Sequence, residues 1–229
     1  MAPPTLISIQ SSATITTTAQ RAVLNIAASD TGSDKDEVSS HVVSTVKDIQ
    51  QDLDHLCPRL ADGDISPTAP VSFYSIASLS ISAADEYDDK HVRQEKKLYS
   101  AHSNIAIHFR DFTRLGLMVV RLSRMPFVEM RGIDWELGEA SKAELDDEVR
   151  EQALRKAMIR AQGYSRVIGR ATVTCVKIED VQTSWPVRKL KQTAMRATSA
   201  ATFEVGAGID FEPQLVEVSA TISCEFHAE

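Results

Sequence analysis

Side chains able to do chemistry are scattered along this chain, and their spacing sets what they can share. His102 and His108 are six residues apart in an alternating stretch. That separates them by roughly 20 Å at about 3.3 Å per residue, too far to hold one metal ion. His55 and Cys57, two apart at the end of a helical pattern, point in different directions. Cys57 also precedes Pro58 at a helix C-terminus, where the dipole disfavours a thiolate. Cys224 falls on an apolar strand face and reads as a small core hydrophobe, whereas the pattern leaves the side taken by Cys175 open. The chain has no G-x-S-x-G, H-E-x-x-H or P-loop. Its nearest glycine-rich run, "EVGAGIDFEP", opens no helix. Clustered carboxylates such as Asp146, Asp147 and Glu148, or Asp85 and Glu86, lie at a helix start and a hairpin tip, where solvation accounts for them. The expectation is a non-enzyme with no catalytic residue, no metal site and no cofactor.

A late segment holds the candidate for recognition. Residues 181–214 lack a sustained period, and within them Arg188, Lys189, Lys191 and Arg196 form a basic run close to Trp185. Trp185, Met195 and Phe203 add apolar anchors of the kind that carry interface energy. These seven residues form the candidate partner-binding loop. RNA is an alternative ligand for the 188–196 run, although a net charge of −7 works against nucleic acid and acidic membranes. A further alternative is a small-molecule binder or hydrolase whose pocket forms only on assembly.

The elements that would position such a loop follow from periodicity. Residues 5–18 alternate, with Ile7, Ile9, Ala13 and Ile15 on one face, and 21–29 repeat the pattern through Ala22, Leu24, Ile26 and Ala28. Only "TAQ" separates them, which predicts an antiparallel hairpin. Val38, Val42, Val46, Ile49, Leu53 and Leu56 form a helical stripe, capped by Ser33 or Asp34 and stopped by Pro58. Residues 71–83 predict one strand with Val71, Phe73, Ala77, Leu79 and Ile81 on one face, returning through 99–109. A short helix capped by Asp111 and a strand over 127–137 follow. From 141 to 167, Leu145, Val149, Ala153, Ala157 and Ala161 make a small-residue seam that seats a helix closely on a sheet. Gly169 ends it, and strands at 170–180 and 215–226 complete the order ββα ββα βα ββ. The expected fold is therefore α+β, with antiparallel or mixed sheets built from hairpins and helices packed on one face.

Bulk properties set the remaining bounds. The 229 residues suit one large domain or two small ones and are enough to bury a sizeable core, and no window approaches a membrane span. Three cysteines leave an odd one over, and the N-terminus lacks a basic region followed by an apolar run. Together these predict a cytoplasmic protein without membrane attachment.

Three segments bring the chain close to a known family. These are "ISIQSSATITTTAQRAVLNIAAS" with the helix after it, "LYSAHSNIAIHFRDFTRLGLMV" with its "D…LG" helix, and the stretch from "MRGIDWELGEA" to "VTCVKIEDV". In the third, Arg150, Ala153, Leu154, Ala157 and Ala161 match the family's "R..Al..A...A" helix, and Ile178 and Glu179 its strand end. The chain resembles the SIMPL-domain proteins, which include a pelle-like-kinase-associated signalling molecule and bacterial periplasmic oxidative-stress-defence and immunogenic proteins. It carries "AQR" where bacterial members usually have Pro-Asp, so the intracellular eukaryotic branch is the nearer likeness. The resemblance implies a single α+β domain over 1–229, with 181–214 as a variable insertion. It also implies self-assembly, protein contacts linked to stress or signalling, and no catalytic residues. The combined expectation is a non-enzymatic interaction or scaffold protein that forms homo-oligomers and binds a protein partner.

Overall fold

The computed structural model describes residues 3–87, 93–184 and 209–229. The strands are β1 (Thr5–Thr18), β2 (Arg21–Gly32), β3 (Val71–Ile76), β4 (Ser80–Tyr87), β5 (Arg93–Phe109), β6 (Val128–Glu136), β7 (Val173–Ser184) and β8 (Leu215–Ala228). The helices are α1 (Lys35–Leu56), α2 (Phe112–Leu122) and α3 (Glu139–Val167). The fold is α+β, and it divides into two compact units: one holds β1, α3, β7 and β8, the other β2 to β6 with α1 and α2.

The first unit is a three-stranded antiparallel sheet, β1-β8-β7, with α3 across one face. Alternation does the sorting: Ile7, Ile9 and Ala13 of β1 and Val218, Ala220, Ile222, Cys224 and Phe226 of β8 are buried. Val149, Ala153, Ala157 and Ala161 meet them from α3, all fully buried. Methyl-sized side chains at four-residue spacing let the helix lie close to the strands. Gly169 ends the helix at φ +70, a conformation that suits glycine. The buried Ser165 hydroxyl donates to the Arg170 carbonyl and secures that turn.

The second unit is a five-stranded antiparallel sheet in which β3, β5, β2 and β6 lie in that order and β4 also pairs with β5. Ala22, Leu24, Ile26, Ile105, Ile107 and Phe109 form its apolar face, covered by Ile49 and Leu53 of α1 and Leu115, Met118, Val119 and Leu122 of α2. Asp34 caps α1 by accepting from the Asp36 and Glu37 amides at 2.8 and 3.2 Å. Asp111 caps α2 by accepting from Arg114 at 3.1 Å. Residues 209–213 also belong to this unit, and Phe211 packs on its core. The backbone of Ile209 crosses α2 at Gly116 so closely that a Cβ there would lie 1.9 Å from its carbonyl oxygen. The glycine of the "D…LG" segment is thus a close-approach residue.

Three expectations need correction. β1 and β2 do not form a hairpin: β1 pairs with β8 and β2 with β5 and β6. Alternation sets which face a strand buries but not which strand lies beside it. The stretch 71–83 is two strands, β3 and β4, each paired with β5; between them the Ala77 amide donates to the Asn104 carbonyl and the Ala77 carbonyl accepts from the Ser103 hydroxyl. Within β3 a bulge at Ser72 turns Phe73 away from Val71, so Val71 is buried while Phe73 is 53% exposed.

Candidate functional site

A sheet of three strands has two edges, and the chain treats them differently. β1 carries outward-facing carbonyls, and α3 covers them with cations. Lys156 donates to the Ser12 carbonyl at 3.4 Å and Arg160 to the Gln10 carbonyl at 3.1 Å. Arg170 adds a bond to the Pro3 carbonyl at 3.0 Å. Basic side chains along an edge are a recognised device against unwanted strand pairing.

β7 forms the other edge. Among the described residues it pairs with β8 alone. Two bulges interrupt it, between Cys175 and Lys177 and between Asp180 and Gln182. The residues they set out of the ladder, Val176 and Val181, are exposed valines. Ile178 stands opposite the buried Cys224, hence on the helix-bearing face, yet it is 54% exposed because the cover of α3 thins toward this strand. Polar contacts flank the apolar residues: Asp180 lies 3.7 Å from Arg150, and Lys177 pairs with Glu179 at 2.8 Å. The Glu179 carboxylate holds the Lys177 ammonium above the ordinary lysine pKa. Such an edge, unpaired by any second strand among the described residues and with apolar side chains along it, suits strand addition by a partner.

The candidate loop residues Trp185, Arg188, Lys189, Lys191, Met195, Arg196 and Phe203 lie outside the described residues. β7 runs four residues beyond its expected end at 180, to Ser184, the position just before Trp185. Sequence reasoning missed the cationic cover of β1. Lys156 and Arg160 lie one turn apart, but nothing local says which strand they face. It also missed the two bulges, because they arise from the pairing of β7 with β8.

Other polar clusters belong to the second unit. The His41 Nδ1 lies 2.8 Å from an Asp30 carboxylate oxygen, and its ring stacks on Phe127 with centroids 4.7 Å apart. Phe127 adopts φ 62. His108 lies 4.0 Å from Glu136 and meets the Phe73 ring edge-on at 5.5 Å. Burial pushes the Cys57 thiol above its ordinary pKa, with Asp54 reinforcing and Arg59 opposing the shift. Among the described residues, no group of three or more His, Cys, Asp or Glu side chains could hold a metal ion, and no helix is long and apolar enough to cross a membrane. A model of the SIMPL family, described as "Protein of unknown function (DUF541)", matches residues 7–226, and no curated protein matches the chain.

Proposed function

The chain belongs to the SIMPL family, and on that footing we propose that it is a non-enzymatic interaction protein that self-associates and docks a protein partner. The observation that carries this reading is the open edge of β7, with Val176, Ile178 and Val181 exposed along it while cations cover the opposite edge at β1. Strand addition would pair the outer edge of β7 and cover those three side chains. The residues that follow, with Trp185, Met195 and Phe203 among them, supply the anchors for the partner. A cytoplasmic setting is part of the proposal and is supported by three free thiols. The link to stress tolerance or signalling is also part of it and rests on the family resemblance alone.

Size exclusion with light scattering on the full chain tests the self-association. The expected result is a discrete multimer of the 25.2 kDa chain that dissociates when Val176 and Val181 are both changed to lysine. A strict monomer of the unaltered protein overturns self-association. A multimer that survives the double substitution overturns the assignment to β7.

A further inference from the structure

Cys175 and Cys224 lie on neighbouring strands, but their register does not make them direct partners. Cys175 stands opposite Phe226, and Cys224 opposite Ile178. In a regular ladder such a diagonal leaves Cα atoms about 7–8 Å apart. Here the bulge at Val176 changes the count, so that 175 to 178 on β7 spans the same length as 226 to 224 on β8. Both side chains then sit on the helix-bearing face. Cys224 is a member of the core under α3, and Cys175 packs against that core. The Cys175 thiol acts on the Cys224 thiol from the neighbouring strand, and it donates to the Lys177 carbonyl at 3.6 Å. The two differ in access: Cys224 is fully buried, Cys175 partly exposed on the edge strand. The remaining cysteine, Cys57, is buried in the other unit.

We propose that Cys175 and Cys224 form a reversible redox pair, which a hydroperoxide converts to an intramolecular disulfide joining β7 to β8. Cys175 gives up its proton, and the thiolate attacks the terminal peroxide oxygen. The O–O bond breaks, and the leaving oxygen takes up a proton to depart as water or an alcohol. Cys175 is left as a sulfenic acid. Cys224 then loses its proton and attacks the Cys175 sulfur; the S–O bond breaks, and hydroxide leaves and is protonated to a second water. Two thiols lose two electrons, and the peroxide gains them. A small dithiol reverses the reaction by two exchange steps.

The order of events follows from the surroundings. Burial, reinforced by the neighbouring Cys175 thiol, pushes Cys224 above the ordinary thiol pKa. It therefore remains protonated and shielded while Cys175, nearer to solvent, meets the oxidant first. To bond, the sulfurs must close to about 2.05 Å and the Cα atoms to about 4.4–6.8 Å, which requires one strand to shift toward the other. β7 is held by pairing on one side only, among the described residues, and is already bulged at this point, so it is the strand able to move. The bond would fasten the open edge strand to its neighbour.

The experiment treats the folded full chain with hydrogen peroxide, blocks remaining thiols in denaturant with N-ethylmaleimide, and reads intact mass and non-reduced peptides. The expected product has lost two hydrogens, resists blocking at two of three cysteines, and yields a linked peptide pair holding Cys175 and Cys224. Dithiothreitol should restore all three thiols. In Cys224→Ala the same treatment should add two or three oxygens to Cys175 that dithiothreitol does not remove. In Cys175→Ser, Cys224 should be consumed about tenfold or more slowly than in the unaltered chain. The last variant changes a partly exposed residue, so it keeps the test available if Cys224→Ala fails to fold. The proposal is overturned if the unaltered chain accumulates oxygens on Cys175 with Cys224 still free. It is also overturned if the linkage joins two chains, or if Cys224 reacts equally fast without Cys175.

Discussion

Replacing Gly116 with alanine reverses the usual sign of a helix substitution, and the reversal can be worked from the structure. In an exposed helix interior, glycine to alanine stabilises by roughly 0.5–1 kcal/mol, because alanine has less backbone freedom to lose on folding. At Gly116 the added Cβ would lie 1.9 Å from the Ile209 carbonyl oxygen, 2.9 Å from its carbon and 3.2 Å from its nitrogen. To reach 3.0 Å the oxygen must retreat by 1.1 Å (3.0 minus 1.9). All three obstructing atoms are backbone, so no rotamer change relieves them. The segment must lift as a piece, and Phe211, packed on the core beneath, is drawn with it. Overpacking of this kind costs about 1–3 kcal/mol. Gly163 in α3 supplies the matched control, since a Cβ there meets nothing within 4 Å. Thermal unfolding followed by circular dichroism should show Gly116→Ala melting lower and Gly163→Ala slightly higher, by roughly 2–4 °C per kcal/mol for a chain of this size. A Gly116→Ala protein as stable as the unaltered one would refute the crossing of Ile209 over α2.

Two further outcomes follow from burial. Ala157→Leu adds three carbons to a fully buried seam between α3 and its sheet and should cost about 1–3 kcal/mol, read as a lower melting temperature; an unchanged melt would contradict the packing of α3. The thiols of Cys57 and Cys224 are both held above their ordinary value of 9.0. The folded state therefore keeps protons that the unfolded chain releases. The stability this confers is fully present below 9.0 and is lost as pH rises through the higher folded values. Urea midpoints measured on either side of 9.0 should fall with alkalinity, and the fall should be shallower in a Cys57→Ala, Cys224→Ala double variant; equal slopes would contradict the burial of these thiols.

Local pattern carried the faces of this fold further than its pairings. The buried faces of β1, β8, α1 and α3 could be read from periods of two and 3.6 because burial follows side-chain direction, a local property, whereas β2 also buries Val23 and Ala27 on its other face. The Asp111 cap was legible for the same reason, and the cap of α1 was legible to within Ser33 or Asp34, of which the structure selects Asp34. Pairing is a property of distant segments, and it was not legible. "TAQ" is short enough for a hairpin, yet β1 and β2 go to different sheets. Phe73 keeps step with Val71 in sequence and loses it in space, because a bulge exists only relative to a partner strand. The same holds at the candidate site. The basic and aromatic residues of 185–203 stood out by composition, but the open edge of β7 emerges only once β8 is known to lie beside it. The side taken by Cys175, ambiguous in sequence, is settled by its register with Phe226.

The pairing of β1 with β8 also bears on how the chain matures. Thr5 lies opposite Ala228, so β1, made before every other described strand, waits for β8, made after them all. Among the described residues, the sheet of β2 to β6 draws no strand from beyond Glu136, and its pairing is expected to form while synthesis continues. β1 must remain unpaired throughout that interval, and its alternate positions Ser8, Gln10, Ser12, Thr14 and Thr16 keep half of it polar. Because its ladder closes contacts of very long sequence separation, this unit is expected to fold last and slowly. Until β8 is made, the nascent chain carries a β-strand whose complement does not yet exist.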